Sequence, residues 1–155
     1  MMNVGLISDT HGFVSSAALD ALRGVDVILH AGDVGGPLVV EMLRTVAPVL
    51  VVMGNTDPVG LYPTSVDVEL EGLQIHMSHG HELEALGWLL TPEKLADQYP
   101  CDILVFGHTH FSLAKTVGTT LVINPGAAGS RYPTVARLEL PSRAVALVKC
   151  SQERS

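Results

Sequence analysis

Three mostly apolar runs, separated by two helical patterns, fill the first third of the chain. The runs are 3–8, 25–30 and 48–53, and each is short enough to be a strand. Between them, 15–24 and 37–46 carry apolar residues at helical spacing, with serine, glycine or proline residues at their ends. Apolar strands that alternate with helices are typical of a parallel sheet built from strand–helix–strand units. This alternation therefore predicts an α/β fold.

The second half of the chain has a different pattern. Segments 65–70 and 73–79 alternate apolar and polar residues around a Glu-Gly turn and predict a hairpin, while 82–98 predicts two short helices. Further strand patterns run to the end of the chain: DILVFG, LAKTV, TLVIN, TVARLEL and RAVALVK. We therefore expect a four-layer αββα sandwich, with two mixed β-sheets flanked by helices, as a single domain over 1–155.

Charge and composition exclude several classes of protein. The net charge is −7 and no cluster of Lys or Arg appears, which argues against long nucleic acid as a partner. No apolar run approaches the roughly 20 residues that cross a bilayer, so no membrane contact is expected. The start of the chain has no basic segment before its first strand, and Cys101 and Cys150 form no C-x-x-C pair. We expect reduced cysteines in a cytoplasmic protein, with self-association as a homo-oligomer left open.

Polar side chains follow five of the predicted strands at the point where each strand ends. In α/β sheets, ligands bind beyond the carboxyl ends of the strands, so these side chains are expected to converge on one edge. In chain order they are Asp9 and His11, Asp33, Asn55 and Asp57, His79 and His81, and His108 and His110.

This set of side chains is suited to binding metal ions. Carboxylate, amide and imidazole groups without a thiolate favour Mn, Fe, Zn, Ni or Co over soft copper. Even seven of these side chains are too many for one tetrahedral ion, but seven suit two ions that share a bridging carboxylate. Two ions held roughly 3.5–4 Å apart can stabilise in-line attack at phosphorus.

The ordered motifs D-x-H, G-D, G-N-x-D, H-G-H and G-H-x-H resemble those of the calcineurin-like metallophosphoesterases. The chain is most similar to their compact, single-domain phosphodiesterase branch, and NPGAAGSR near its end also resembles that branch. The resemblance implies the metallo-dependent phosphatase fold and two divalent ions, with Mn²⁺ expected first and Fe, Zn, Ni, Co or Mg as alternatives. It also implies a ligand set. The first metal would be held by Asp9, His11 and His110, and the second by Asn55, His79 and His108. The carboxylate of Asp33 would bridge the two metals.

The resemblance further implies hydrolysis of small phosphate esters, with a hydroxide that bridges the two metals attacking phosphorus in line. Asp33 and Asn55 would take part in catalysis, the latter by stabilising charge on the phosphoryl oxygens. Much of the wider family has a histidine after this asparagine, but here the residue is Thr56, which cannot act as a general acid. We expect His81 to replace it, and activated or cyclic diesters to react faster than unactivated monoesters.

Two other functions and several structural roles are also considered. A catalytically silent protein-binding scaffold is the main alternative, because a trafficking-complex subunit of this fold is thought to have lost catalysis. A scaffold is free to lose ligands, and here every expected position is filled, which favours the enzyme. A nuclease like the family's DNA-repair branch would need a basic surface. We expect His30 and His76 to be structural, Asp57 to be a turn or supporting residue, and NPGAAGSR to be a turn against the site.

Overall fold

The computed structural model describes residues 1–150 as two five-stranded sheets with helices on their outer faces. The last five positions of the expected domain, 151–155, lie outside the described residues. The elements are β1 (Met2–Ile7), α1 (Ser16–Ala21), β2 (Val27–His30), α2 (Pro37–Arg44), β3 (Val49–Val51), β4 (Ser65–Leu70), β5 (Leu73–Ser78), α3 (His81–Ala85), α4 (Pro92–Gln98), β6 (Ile103–Val105), β7 (Leu113–Val117), β8 (Thr120–Asn124), β9 (Thr134–Leu140) and β10 (Ala144–Lys149).

Both sheets are mixed, as expected from the sequence. The first has the order β10-β9-β1-β2-β3, in which β1, β2 and β3 are parallel and β9 pairs antiparallel with both β1 and β10. The second has the order β4-β5-β6-β8-β7, in which β5, β6 and β8 are parallel and the edge strands β4 and β7 are antiparallel. The predicted β4–β5 hairpin forms around the turn at Glu71 and Gly72.

Three apolar clusters hold the four layers together. The cluster between the sheets joins side chains of β1, β2 and β9 to those of β5, β6 and β8, with Leu6 and Val105 among its fully buried members. A second cluster packs α1 and α2 on the outer face of the first sheet, and a third packs α3 and α4 on the outer face of the second. The order helix, sheet, sheet, helix confirms the expected αββα sandwich.

Local sequence signals predict the helix starts correctly, but the predicted elements are longer than the observed ones. Ser15 and Thr91 cap α1 and α4 by accepting hydrogen bonds from backbone N–H groups three residues later, and Pro37 is the first residue of α2. The predicted strand 48–53 is shortened to Val49–Val51, because the N–H of Met53 bonds to the carbonyl of Pro63 rather than to a neighbouring strand. Because β3 ends early, the loop that carries Asn55 begins soon after Val51.

Candidate metal centre

Two groups of potential metal ligands meet where β1, β2, β5 and β6 end. The ligand atoms of Asp9, His11 and His110 lie within 4.8 Å of one another, and so do those of Asp9, Asp33 and His79. Asp9 belongs to both groups, because its Oδ1 lies 3.3 Å from His110 Nε2 and 3.7 Å from His79 Nε2. The fold thus brings five of the seven predicted ligands into two overlapping triads.

The other two predicted ligands, Asn55 and His108, lie beside these triads and contact each other. Asn55 Oδ1 lies 3.1 Å from His108 Nδ1, and the His108 ring centroid is 5.1 Å from that of His79. On its far side, His108 Nε2 lies 3.2 Å from Oε1 of Glu84. Glu84 was not predicted from sequence, since an exposed acidic residue on a short helix carries no signal that separates it from other surface carboxylates.

The backbone at most of these ligands has an unusual conformation. Among the described residues, seven that are not glycine have a positive φ angle, and five of these are predicted ligands. The left-handed region costs side-chain-bearing residues on the order of 1–3 kcal/mol each, and it persists only where neighbouring structure enforces it. Such strain concentrates at functional sites. The five φ values are 53° at Asp9, 48° at His11, 56° at Asp33, 70° at His108 and 67° at His110.

Hydrogen bonds to Asp9 occupy one of its oxygens and leave the other free. The hydroxyl of Ser8 donates to Oδ2 at 2.6 Å, and the backbone N–H of His108 donates to the same oxygen at 3.1 Å. Gly107 allows this close approach, because a Cβ at that position would collide with the Ser8 side chain. Oδ1 is buried and has no hydrogen-bond partner among the described residues. Asp9 therefore presents one unpaired oxygen to the centre of the site.

Asp33 is held in a similar way. The backbone N–H of Thr56 donates to Oδ1 at 2.9 Å, while Oδ2 lies 3.3 Å from His79 Nε2 and 3.7 Å from His11 Nε2. Burial alone would raise the pKa of Asp33, but the neighbouring His79 ring and the hydrogen bond from the Thr56 backbone hold that pKa well below its usual value. Asp33 is therefore a carboxylate at neutral pH.

His79 is oriented so that one of its nitrogens faces both carboxylates. Its Nδ1–H donates to the carbonyl oxygen of Ala31 at 2.7 Å, which leaves Nε2 as the lone-pair nitrogen of the neutral ring. Nε2 is buried without a hydrogen-bond partner among the described residues. Burial would lower the pKa of His79, but Asp33 and Asp9 raise it. The site therefore favours positive charge at this nitrogen.

The two unpaired atoms, Asp9 Oδ1 and His79 Nε2, lie 3.7 Å apart. Buried polar atoms nearly always have a partner, so two such atoms facing each other need an explanation. A divalent cation that accepts a lone pair from each of them would satisfy both. The residues present therefore fit a metal ion at this position.

Asp57 supports the site without facing it, as the sequence analysis anticipated. Its carboxylate accepts hydrogen bonds from the backbone N–H groups of Val34 at 2.9 Å, Gly35 at 3.2 Å and Gly54 at 2.9 Å. These bonds tie the loop after β2, which carries Asp33, to the loop after β3, which carries Asn55. Asp57 is itself buried.

His81, the predicted general acid, is the first residue of α3 and lies at the margin of the site. Its ring centroid is 5.4 Å from that of His79 and 6.3 Å from that of His108. Its Nδ1 is buried without a hydrogen-bond partner among the described residues, and Oε2 of Glu82 lies 3.8 Å away. Burial and the neighbouring His79 lower the pKa of His81. The fold thus places the partly exposed His81 side chain beside the predicted ligands.

Two other expectations from the sequence concern residues around the site. His76 stacks on Tyr99 with ring centroids 4.2 Å apart, and its Nδ1 lies 2.8 Å from Asp67 Oδ1, which confirms a structural role. The NPGAAGSR segment packs against the site, because Ala128 and Gly129 donate backbone hydrogen bonds to the loop that begins at Ser8. Among residues 1–150, no helix has the length and apolar character needed to span a bilayer.

Comparison with known proteins identifies the family. A model of the calcineurin-like phosphoesterase superfamily domain matches residues 2–151. A probable metallophosphoesterase of Methanothermobacter thermautotrophicus is 36% identical over 148 residues, covering 91% of this chain and 83% of the relative. A phosphodiesterase of Methanocaldococcus jannaschii is 25% identical over 144 residues, covering 81% of this chain and 83% of the relative.

Solved structures agree with this result. Vps29 from Entamoeba histolytica superimposes with a TM-score of 0.79 at 26% identity, covering 96% of this chain and 99% of that one. Since the family model spans nearly the whole sequence and the fold and the motifs agree with it, the chain belongs to the calcineurin-like phosphoesterase superfamily.

Proposed function

We propose that the protein is a two-metal phosphodiesterase that acts on small phosphate esters. The observation that carries this proposal is the pair of buried, unpaired ligand atoms, Asp9 Oδ1 and His79 Nε2, 3.7 Å apart beneath two solvent-accessible histidines. Family membership supports a metal-dependent hydrolase, and one relative is named a phosphodiesterase.

We assign one metal to Asp9, His11 and His110. Asp33 is the proposed bridge, because its Oδ2 faces both His11, a ligand of this metal, and His79. Asn55, His79 and His108 would hold the second metal, and Glu84 would orient the His108 ring from behind.

The oxygen and nitrogen donors suit Mn²⁺, our first choice, and would also accept Fe, Zn, Ni, Co or Mg. When bound, the two ions would neutralise the phosphate and activate water for in-line attack at phosphorus. They would also explain how an acidic chain binds an anion without a basic patch.

The exposure of the ligands indicates where substrate enters. Asp9, Asp33 and His79 are buried, whereas the side chains of His11 and His110 are 40% and 49% exposed. The phosphate would therefore approach from the side of these two histidines. Asn55 belongs to the second ligand set through its Oδ1, and its NH₂ group would hydrogen-bond a phosphoryl oxygen.

His81 is our candidate for contacting the leaving group. Thr56 cannot serve, because a threonine hydroxyl does not ionise near neutral pH and its backbone already holds Asp33. The His81 side chain is 27% exposed and lies beside the His79 and His108 rings, within reach of a bound ester. We therefore expect activated or cyclic diesters to react faster than unactivated monoesters.

Other properties are proposed on less direct grounds. Cys101 and Cys150 are both free thiols, which suits the reducing cytoplasm. The acidic surface argues against long nucleic acid as a substrate. A single domain over 1–155 and self-association as a homo-oligomer stay predictions.

The test is hydrolysis of an aryl phosphodiester such as bis(p-nitrophenyl) phosphate. Chelation should abolish activity, and one of the divalent metals, restored singly, should recover it. Asp33→Asn should lower kcat/KM by more than the roughly 10–100-fold typical of losing a residue that only supports a ligand. Asp97→Asn makes the same chemical change on the exposed face of α4 and should leave kcat/KM unchanged. Full activity in Asp33→Asn, or no activity with any metal, would reject the proposal.

The second candidate is a protein-binding scaffold, favoured by the likeness to Vps29. The same assay separates the two functions, because a scaffold has no need for turnover. Binding of metal without hydrolysis of any diester would favour the scaffold.

A further inference from the structure

His30, the last residue of β2, is completely buried and lies between two ligand-bearing loops. We propose that His30 is a positioning residue that locks the loop of Asp9 and His11 to the loop of Asp33, and thereby sets the affinity of the site for divalent metal. This inference rests on the proposed metal centre, but it concerns a residue outside the ligand set.

Both ring nitrogens of His30 are engaged. Nδ1 accepts a hydrogen bond from the backbone N–H of Gly32 at 3.1 Å, and Nε2 lies 3.0 Å from the hydroxyl oxygen of Thr10. That hydroxyl donates its single proton to the carbonyl of Val34 at 2.7 Å, so it must accept from Nε2–H. The ring is therefore neutral with its proton on Nε2. Burial lowers the pKa of His30 to about 4, which agrees with this state.

The partners of His30 are immediate neighbours of predicted ligands. Thr10 stands between Asp9 and His11, while Gly32 and Val34 stand on either side of Asp33. The imidazole thus contacts the Gly32 backbone directly and the Val34 backbone through the Thr10 hydroxyl. The three neighbouring ligands all have left-handed φ angles. Because such conformations depend on the surrounding structure, loss of the His30 contacts should displace the ligand atoms.

Removing the ring would leave two desolvated groups without partners, the Gly32 N–H and one lone pair of the Thr10 hydroxyl. Backbone bonds between the same loops, such as Asp9 N–H to the Gly32 carbonyl at 3.0 Å, keep the loops adjacent. They do not supply the missing partners. The loops would have to shift to find other hydrogen-bond partners. Mutation of residues that support metal ligands typically lowers metal affinity 10–100-fold.

A purely structural histidine would behave differently. It would stabilise the folded chain equally with and without metal, so its loss would lower the melting temperature but not the metal affinity. His76 provides this comparison, because it is also buried and hydrogen-bonded but lies on β5 with its partners Asp67 and Tyr99.

The test is titration of Mn²⁺ into the metal-free full chain by calorimetry, with the melting temperature of the metal-free protein measured in parallel. His30→Ala should bind Mn²⁺ about 10–100-fold more weakly than the wild type. His30→Gln can still donate to Thr10 and should recover much of that loss. Thr10→Val removes the hydroxyl at nearly constant volume and should weaken binding on its own. The double variant that combines Thr10→Val with His30→Ala should weaken Mn²⁺ binding by less than the product of the two single fold-changes.

His76→Ala is the matched control and should lower the melting temperature while leaving the Mn²⁺ affinity within about threefold of the wild type. Wild-type affinity in His30→Ala would overturn the inference and leave the proposed function standing. If His30→Ala does not fold, Thr10→Val and His30→Gln decide, and wild-type Mn²⁺ affinity in Thr10→Val would overturn the inference. No Mn²⁺ binding by the wild type would overturn the metal centre and this inference together.

Discussion

Replacing Asp57 with asparagine should destabilise the metal-free protein and loosen its metal site at the same time. The carboxylate of Asp57 accepts hydrogen bonds from three backbone N–H groups, on Val34, Gly35 and Gly54, and both of its oxygens are used. In either orientation, the amide of Asp57→Asn must place its NH₂ against at least one of these N–H donors.

The size of the effect follows from those contacts. Hydrogen bonds to a charged group contribute about 1.5–3 kcal/mol each, and a buried donor left unpaired costs about 1–3 kcal/mol. Loss of one such bond and weakening of the others to neutral strength should lower the free energy of unfolding by about 2–4 kcal/mol. For a chain of this size, each kcal/mol corresponds to a shift of about 2–4 °C, so the melting temperature should fall by roughly 5–15 °C.

The assay is thermal and urea unfolding of the metal-free protein, followed by circular dichroism, with Mn²⁺ titration of the folded variant. Because Asp57 joins the loops of Asp33 and Asn55, the variant should also bind Mn²⁺ about 10-fold more weakly. Asp20→Asn is the control, since Asp20 is exposed on α1 and pairs with Arg23 at 2.9 Å. Surface changes of this kind stay within about 0.5 kcal/mol. A melting temperature for Asp57→Asn within about 2 °C of the wild type would refute the reasoning.

Three further predictions concern metal, pH and the leaving group. Mn²⁺ at about 100 times its Kd should stabilise the folded chain by about 2.7 kcal/mol per site, visible as a rise in melting temperature, and an unchanged curve would contradict the metal centre. His30 has a pKa of about 4 when folded against about 6.5 when unfolded, so the unfolded chain binds more protons between these values. The contribution of His30 to the free energy of unfolding of the metal-free protein should therefore be complete above pH 6.5, and that free energy should fall by up to about 3 kcal/mol as the pH drops to 4. In urea titrations, His30→Gln should show a smaller fall. His81→Gln should slow hydrolysis of a dialkyl diester, whose leaving group is an alkoxide, more than that of a bis-aryl diester, and equal losses would remove His81 from leaving-group chemistry.

The order of elements could be predicted from sequence, but their arrangement could not. Apolar runs and helical spacing located every strand of the first sheet's parallel half, and Ser15 and Thr91 marked two helix starts. Nothing local indicated that β9 would insert beside β1, or that β8 would lie between β6 and β7. Strand order depends on which apolar faces pack together across the whole chain, and no window of sequence contains that information.

The candidate ligands could be named from the strand-end rule and the family motifs, but neither signal extends to the residues that support them. Asp9 lies just beyond the end of β1 and His79 directly follows β5, so the rule for carboxyl ends of strands places them together. Ser8, Thr10 and Glu84 also contact the site, but each reaches it through a loop or helix whose path only the fold determines. Small polar residues at strand ends are too common to be read as supports without that path.

The spacing of the ligand atoms is the strongest physical argument for a cation. Nitrogen–oxygen distances between the histidines and the two carboxylates are 3.3–3.8 Å, beyond the roughly 2.7–3.2 Å of a hydrogen bond. Two ligands each about 2.1 Å from one ion can lie up to about 4.2 Å apart, so these gaps suit atoms that share an ion. Asp9 and Asp33 are buried charges, and burying a charge is costly unless it is paired. Strained backbone, buried carboxylates and separated ligands all oppose folding when considered singly, and a divalent ion at their centre would offset all three.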